Sequence, residues 1–166
     1  MSSVNENILN ELMSRLRNIV TSSGYPFDVS EVLKASRDTG EWNPKLFGIY
    51  VEPQPEVENP ELFVPGNPAF AAFVLPIQIH GYAERLDVDA NAVGATEKSV
   101  TEFAMGAAIK KAIANGDAAS WHTFNGNAIN ADPPAVAHFD EPNWNGVTVT
   151  LLVTYRVSEL DPAVAG

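Results

Sequence analysis

Cysteine is absent from this 166-residue sequence, and basic residues are scarce, ten Lys and Arg against 21 Asp and Glu. Without cysteine there are no disulfides and no thiolate metal sites, and nothing in the composition points to an oxidising compartment. A formal net charge of -11 argues against gripping a phosphate backbone, which depends on clustered cations releasing counterions. Long apolar runs are missing too. Met1 to Asn7 is polar, and the residues after it never form the unbroken apolar stretch of a signal peptide or membrane span, so a soluble protein is expected. Nor is there an internal repeat.

The remaining composition, 45% hydrophobic and 19% charged, is that of a globular chain, and its length suits one domain over 1–166. The most legible stretch is Val147 to Val157. Val147, Val149, Leu151, Val153, Tyr155 and Val157 alternate with Thr148, Thr150, Leu152, Thr154 and Arg156, the period-2 pattern of a strand with one face toward a core. It is the expected central strand.

At the other end, Ser3 and Glu6 have capping-box spacing. Val4, Ile8, Leu9, Leu12, Met13, Leu16, Ile19 and Val20 form one helical face, and Asn5, Glu11, Arg15 and Asn18 fall on the other. Gly24 and Pro26 punctuate the helix end. Strands are expected at Phe27 to Ser36, where a helix also fits, at Leu46 to Val51, and at Phe73 to Tyr82, where Pro76 marks an edge position or a bulge. A second helix is expected from about Thr96 to Asn115, capped by Thr96, with Val100, Phe103, Ala104, Ala107, Ala108 and Ala112 facing inward. Short strands fit Asn127 to Ile129 and Ala135 to Phe139, and Asn145-Gly146 supplies a turn before the last strand. Glu159 to Gly166 reads as a frayed tail. The sum is an α/β (α+β) fold: a mixed sheet of about four to five strands, two main helices packed on it, and long loops.

Two segments interrupt this pattern. Residues 52–70 form a Pro- and Glu-rich loop insertion, with Pro53, Pro55, Pro60, Pro65 and Pro68 at a density no central strand or helix interior accepts. Phe63 and Val64 there either dock a partner or cover one edge of the domain's own core. Residues 116–146 form a loop or hairpin region in which Trp121, Phe124, Phe139 and Trp144 stand among Asn, Asp, Gly and Pro.

Catalytic and ligand motifs are incomplete in this sequence. His80, His122 and His138 are isolated and read as surface or packing residues, with neither i, i+4 zinc spacing nor a thiolate partner. Gly94 to Ser99 ends in the Lys-Ser of a phosphate loop, but Ala92 and Glu97 stand where its two glycines belong. Asp87 and Asp89 read as solvated carboxylates rather than a cation site. No catalytic residue, metal ligand or cofactor site is assigned.

The order of elements is informative. An N-terminal amphipathic helix is followed by a strand, a strand ending Gly48-Ile49-Tyr50-Val51, and one ending Ile77-Gln78-Ile79-His80-Gly81-Tyr82. A long helix and a last strand ending Val153-Thr154-Tyr155-Arg156 complete it. From Val4 to Val157 this resembles the tail terminator proteins of long-tailed bacteriophages and the wider group of tail-completion and tail-to-head joining proteins. The chain departs from the compact pattern at Glu52 to Pro68 and Gly116 to Gly146.

The resemblance implies a structural virion protein and no enzyme. Such a protein forms a hexameric ring that caps the tail tube, ends its polymerisation and presents a joining surface to the head-tail connector. It is found in the tail or neck of the virion, and in the host cytoplasm during assembly. DNA passes through the bore without specific binding, and no membrane is involved. Under this reading Phe63, Val64, Phe70, Trp121, Trp144 and Arg156 are expected subunit or partner contacts, Arg156 through a carboxylate of its own or a neighbouring subunit. Some of Glu56, Glu58 and Glu61 are expected to face the bore, where negative charge keeps DNA from sticking. Two alternatives stand beside it: another neck or tail component, such as a head-tail adaptor or tube protein, and a small metal- or ligand-binding enzyme with a site between Trp121 and Trp144.

Overall fold

Ser3 opens the first helix as its spacing predicts. In the computed structural model, which describes residues 2–34, 47–84, 101–115, 117, 119–141 and 144–166, both halves of the capping box with Glu6 are formed. Helix α1 runs Val4–Arg17, stopping before the expected Thr21 to Gly24, and is followed by a 3-10 turn over Thr21–Ser23. Gly24 then adopts φ 81°, the left-handed conformation glycine takes without strain.

The strands are β1 (Glu31–Lys34), β2 (Phe47–Pro53), β3 (Val57–Glu58), β4 (Phe70–Glu84), β5 (Asn130–Ala131), β6 (Ala135–Glu141) and β7 (Trp144–Ser158). The sheet therefore has seven strands rather than four to five. Its path is β1-β2-β4-β7-β5, with β3 beside β4 and β6 beside β7. Only β1 and β2 pair in parallel, so the sheet is mixed and the fold α+β. The middle is one antiparallel pair: all 15 residues of β4 face all 15 of β7, about 50 Å of strand at 3.3 Å per residue.

Alternation in that pair divides the sheet into two faces. Val147, Val149, Leu151, Val153 and Tyr155 are buried, as are Leu75, Ile77 and Ile79 opposite them. Helices α1 and α2 (Glu102–Ala114) cover this side and join the same buried cluster. At Gly81 a Cβ would lie 3.0–3.2 Å from Val147, Ile109 and Phe47, so glycine admits the close approach of α2 to the sheet.

Several expectations are corrected. Phe27 and Val29 pack on the core ahead of β1 instead of belonging to a strand. Pro76 lies in the central strand β4 rather than at a sheet edge, beside a bulge on its neighbour: β2 pairs up to Pro53 with Ile77 and β3 from Val57 with Val74, so three residues there stand against two of β4. The Pro76 carbonyl accepts from Gln54 N (2.8 Å), and the N and C=O of one strand residue point the same way. Its donorless nitrogen therefore faces the gap between the end of β2 and the start of β3. Residues 52–70, expected as a loop, hold the end of β2, all of β3 and a 3-10 turn over Pro60–Leu62.

Helix α2 is capped by Thr101, while Thr96 lies outside the described residues, and it ends on Asn115 in the left-handed conformation. Its inward face is Met105, Gly106, Ala108, Ile109, Ala112 and Ile113. Phe103, expected inside, is 66% exposed. The 3.6-residue stripe set by Met105, Ile109 and Ile113 turns Phe103 and Ala107 away.

Asn145 and Gly146 belong to β7, paired with Ala83 and Tyr82, so the turn is not there. The expected strand at Asn127 to Ile129 falls instead on Asn130–Ala131. The tail is docked rather than frayed: Ser158 N donates to Val164 O, Gly166 N to Arg156 O and Val4 N to Pro162 O. Asp87, Asp89 and Ala92 to Ser99 lie outside the described residues.

Candidate assembly surfaces

One end of the β4–β7 pair gathers four of the six expected contact residues. Val64 bridges Phe70, Phe70 faces Ser158, and Ser158 N donates to Val164 O, so four short segments lie side by side. Arg156 sits on the sheet face away from the helices, where its Nε donates to Leu62 O at 2.9 Å and pins the 3-10 turn against β7. It makes no ion pair among the described residues, so the carboxylate partner expected within its own chain is replaced by a backbone carbonyl.

Phe63 and Val64, between docking and covering, remain 42% and 37% exposed. Leu160 at 75% and Val164 at 45% extend the apolar surface into the tail. Glu159 N donates to Ala69 O and keeps that tail beside β4. The result is an apolar tip edged by the carboxylates of Glu159 and Asp161.

The other two contacts are elsewhere. Trp121 is partly buried against the core. Trp144 starts β7, opposite Glu84 and Glu141, at the far end of the strand from Arg156.

The three carboxylates expected at a bore divide as well. Glu58 and Glu61 are exposed, on β3 and on the Pro60–Leu62 turn. Glu56 is exposed too but engaged: it accepts from Asn5 Nδ2 at 2.6 Å and lies close enough to the Tyr155 phenol to influence it. It therefore lies on the helix side, by a cleft of about 570 Å³ between the start of α1 and the end of β2, lined by Asn5, Leu9, Gln54 and Leu75 among others.

Burial, then the Glu56 hydrogen bond and its negative charge, push the Tyr155 hydroxyl well above the usual tyrosine range. The sign follows: a phenol that holds its proton more tightly in the folded state contributes stability present below pH 10, lost as pH rises beyond it. Wild-type stability is expected to fall above about pH 10. Tyr155→Phe should remove the Tyr155 share of that slope and leave that of Tyr25, whose phenol burial also raises, at a cost near neutral pH of about 0.5–1.5 kcal/mol. Urea titrations at pH 7 to 11 on both proteins check this.

On the opposite sheet face, His80, expected as a surface or packing residue, is a buried polar group. His80 is 4% exposed, with Nδ1 3.0 Å from Thr148 Oγ1 and Nε2 3.2 Å from Glu52 Oε2. It ties β2, β4 and β7 together through side chains as well as backbone. His122 lies beside Trp121, and His138 stacks on Phe103 at 4.6 Å. Among the described residues no group of three His, Cys, Asp or Glu is placed to hold a metal ion. No described helix is long and apolar enough to cross a membrane.

The polar residue most misplaced by sequence is Arg15. Expected on the solvent face of α1, it is 4% exposed. Its Nη1 donates to Ile113 O (2.8 Å) and Trp121 O (2.9 Å), its Nε to Glu11 (2.8 Å), and its guanidinium covers the Phe124 ring at 4.6 Å. The carbonyls it meets belong to the last turn of α2 and the 3-10 turn after it, where helix ends leave acceptors open. The signal was present, since Arg15 follows Ile8 by seven residues and Leu12 by three, on the buried stripe.

Comparison with protein-family models and with curated proteins finds no match for the chain.

Proposed function

We propose that this chain is a structural virion protein that caps a bacteriophage tail tube as a ring, ends tube polymerisation and forms the joining surface for the head connector. The order α1, β1, β2, β4, α2, β7 supports the reading, with Gly81-Tyr82 within β4 and Tyr155-Arg156 within β7. The exposed apolar side chains Phe63, Val64 and Leu160 at one end of the β4–β7 pair fit a protein that works by docking.

In this role the chain catalyses no reaction. Shape does the work: an occupied last ring leaves no surface for another tube subunit. Glu58 and Glu61 are free to face the bore, where their charge repels DNA in transit. Glu56, exposed as well and bonded to Asn5, stands with them as a candidate for that lining. Assembly in the host cytoplasm and residence in the tail or neck follow from the same reading.

Native mass spectrometry with and without purified tail tubes is the test. The expected result is a closed oligomer, six subunits by the resemblance, that binds tube ends. A monomer at all concentrations that ignores tubes would overturn the proposal.

A further inference from the structure

Among the described residues β6 is the outermost strand on its side of the sheet, and its register with β7 fixes which backbone groups it leaves unpaired. Even-numbered residues of β7 turn their N–H and C=O away from β4: Thr154 O accepts from Ile129, Leu152 O from Asp132 and Arg156 O from Gly166. Ala135 and Ala137 stand opposite Thr150 and Thr148 and bond toward β7. The N–H and C=O of Val136 and His138 consequently point outward.

Such a row is a template for another strand unless Lys, Pro or a bulge blunts it, and Ala135 to His138 contains none of these. Ala135, Ala137 and His138 are exposed. Beside them is Phe103, 66% exposed and stacked on His138. Lys110, seven residues along α2 and on the same stripe, is exposed and makes no ion pair among the described residues.

The opposite end of the sheet path is β1, also four residues long, with Leu33 36% exposed. Following the pairings across the sheet, β1 runs with β7 and against β6. A copy placed alongside with its strands in the same direction therefore brings its β1 antiparallel to β6, the stronger ladder.

We infer that β6 from Ala135 to His138, flanked by Phe103 and Lys110, receives the β1 strand of a second copy, so that the sheet continues from subunit to subunit. Unpaired backbone groups fit only an extended chain. An uncompensated cation in a chain of net charge -11 complements that chain's own surface, and Glu31 opens β1. β1 is four residues long, which sets the length of the pairing. The contact joins two different surfaces, so repetition closes a ring or propagates a filament. Closure as a ring rests on the proposed function, whereas the contact itself does not.

His138→Pro removes one outward N–H and leaves the bonds to β7 intact, a position where an edge strand accepts proline. Phe103→Ser with Lys110→Glu alters only the exposed stripe of α2. Sedimentation equilibrium over a concentration series, with circular dichroism to follow folding, is expected to show about 100-fold weaker association for His138→Pro and at least about tenfold for the α2 pair. Should His138→Pro fail to fold, the α2 pair decides. Folded variants that associate like the wild type would overturn this interface and leave the ring reading standing. A wild-type chain that never associates would overturn both.

Discussion

Leu151→Asp is expected to give no folded protein, whereas Leu152→Asp, one residue away, changes stability by no more than about 0.5 kcal/mol. Leu151 is fully buried at the centre of β7 opposite Ile77, while Leu152 is 37% exposed on the other face opposite Pro76. Removing the leucine side chain from a packed core costs about 2–5 kcal/mol. The unpaired carboxylate adds several more, because it would sit opposite Ile77 in an apolar cluster and its desolvation is uncompensated. Together these reach the whole net stability of a domain, about 5–15 kcal/mol. Far-UV circular dichroism and urea titration of the two variants check the contrast. Equal behaviour would mean that β7 does not have the register described.

Arg15→Ala is expected to destabilise the protein by about 3–5 kcal/mol, the range for breaking a buried charge-assisted network. The loss is not chiefly that of the Glu11 pair, since Glu11 is partly exposed and screened. It comes from leaving the buried Ile113 carbonyl without a donor, about 1–3 kcal/mol, with a smaller share from the part-buried Trp121 carbonyl. Arg15→Met keeps the aliphatic stem over Phe124 and should recover part of the packing but none of the hydrogen bonding. Glu11→Gln should cost less than about 1 kcal/mol. Denaturant midpoints for the three variants, at unchanged slope, test that order. A large effect of Glu11→Gln beside a small one of Arg15→Ala would refute it.

Those two positions also mark where the sequence was legible. Strand β7 alternates cleanly because one of its faces is buried and the other is lined by threonines, so period 2 is written in the residue types. The start of α1 was equally plain, since Ser3 and Glu6 satisfy each other's backbone donors within four residues. Arg15 was misread because charge type was weighed above position on the stripe. Phe103 was misread for the converse reason: a large aromatic was assumed to be inside, although Met105, Ile109 and Ile113 set the phase of the helix. Pro76 is tolerated in a central strand only because β2 and β3 leave a gap beside it, a property of the partners that no local window contains. At the candidate surfaces, sequence nominated Phe63, Val64, Phe70 and Arg156. It did not foresee that the tail adds Leu160 and Val164 to them, because that depends on a fold-back held by backbone bonds.

The long pairing of β4 with β7 has a kinetic consequence. Its partners are 60 residues apart in sequence at Glu84 and Trp144 and 88 apart at Phe70 and Ser158. The chain must close a large loop before the first of these contacts forms, and closure entropy is spent before burial of Leu75, Ile77, Val149 and Leu151 returns it. Folding dominated by such distant pairing falls in the millisecond-to-second range rather than the microsecond range of helical bundles. Until it is complete, β7 and the edge of β6 are exposed together. Copies emerging close to one another thus meet with their pairing edges open, and the order in which β7 finds β4 and β6 finds a neighbour separates folding from premature association.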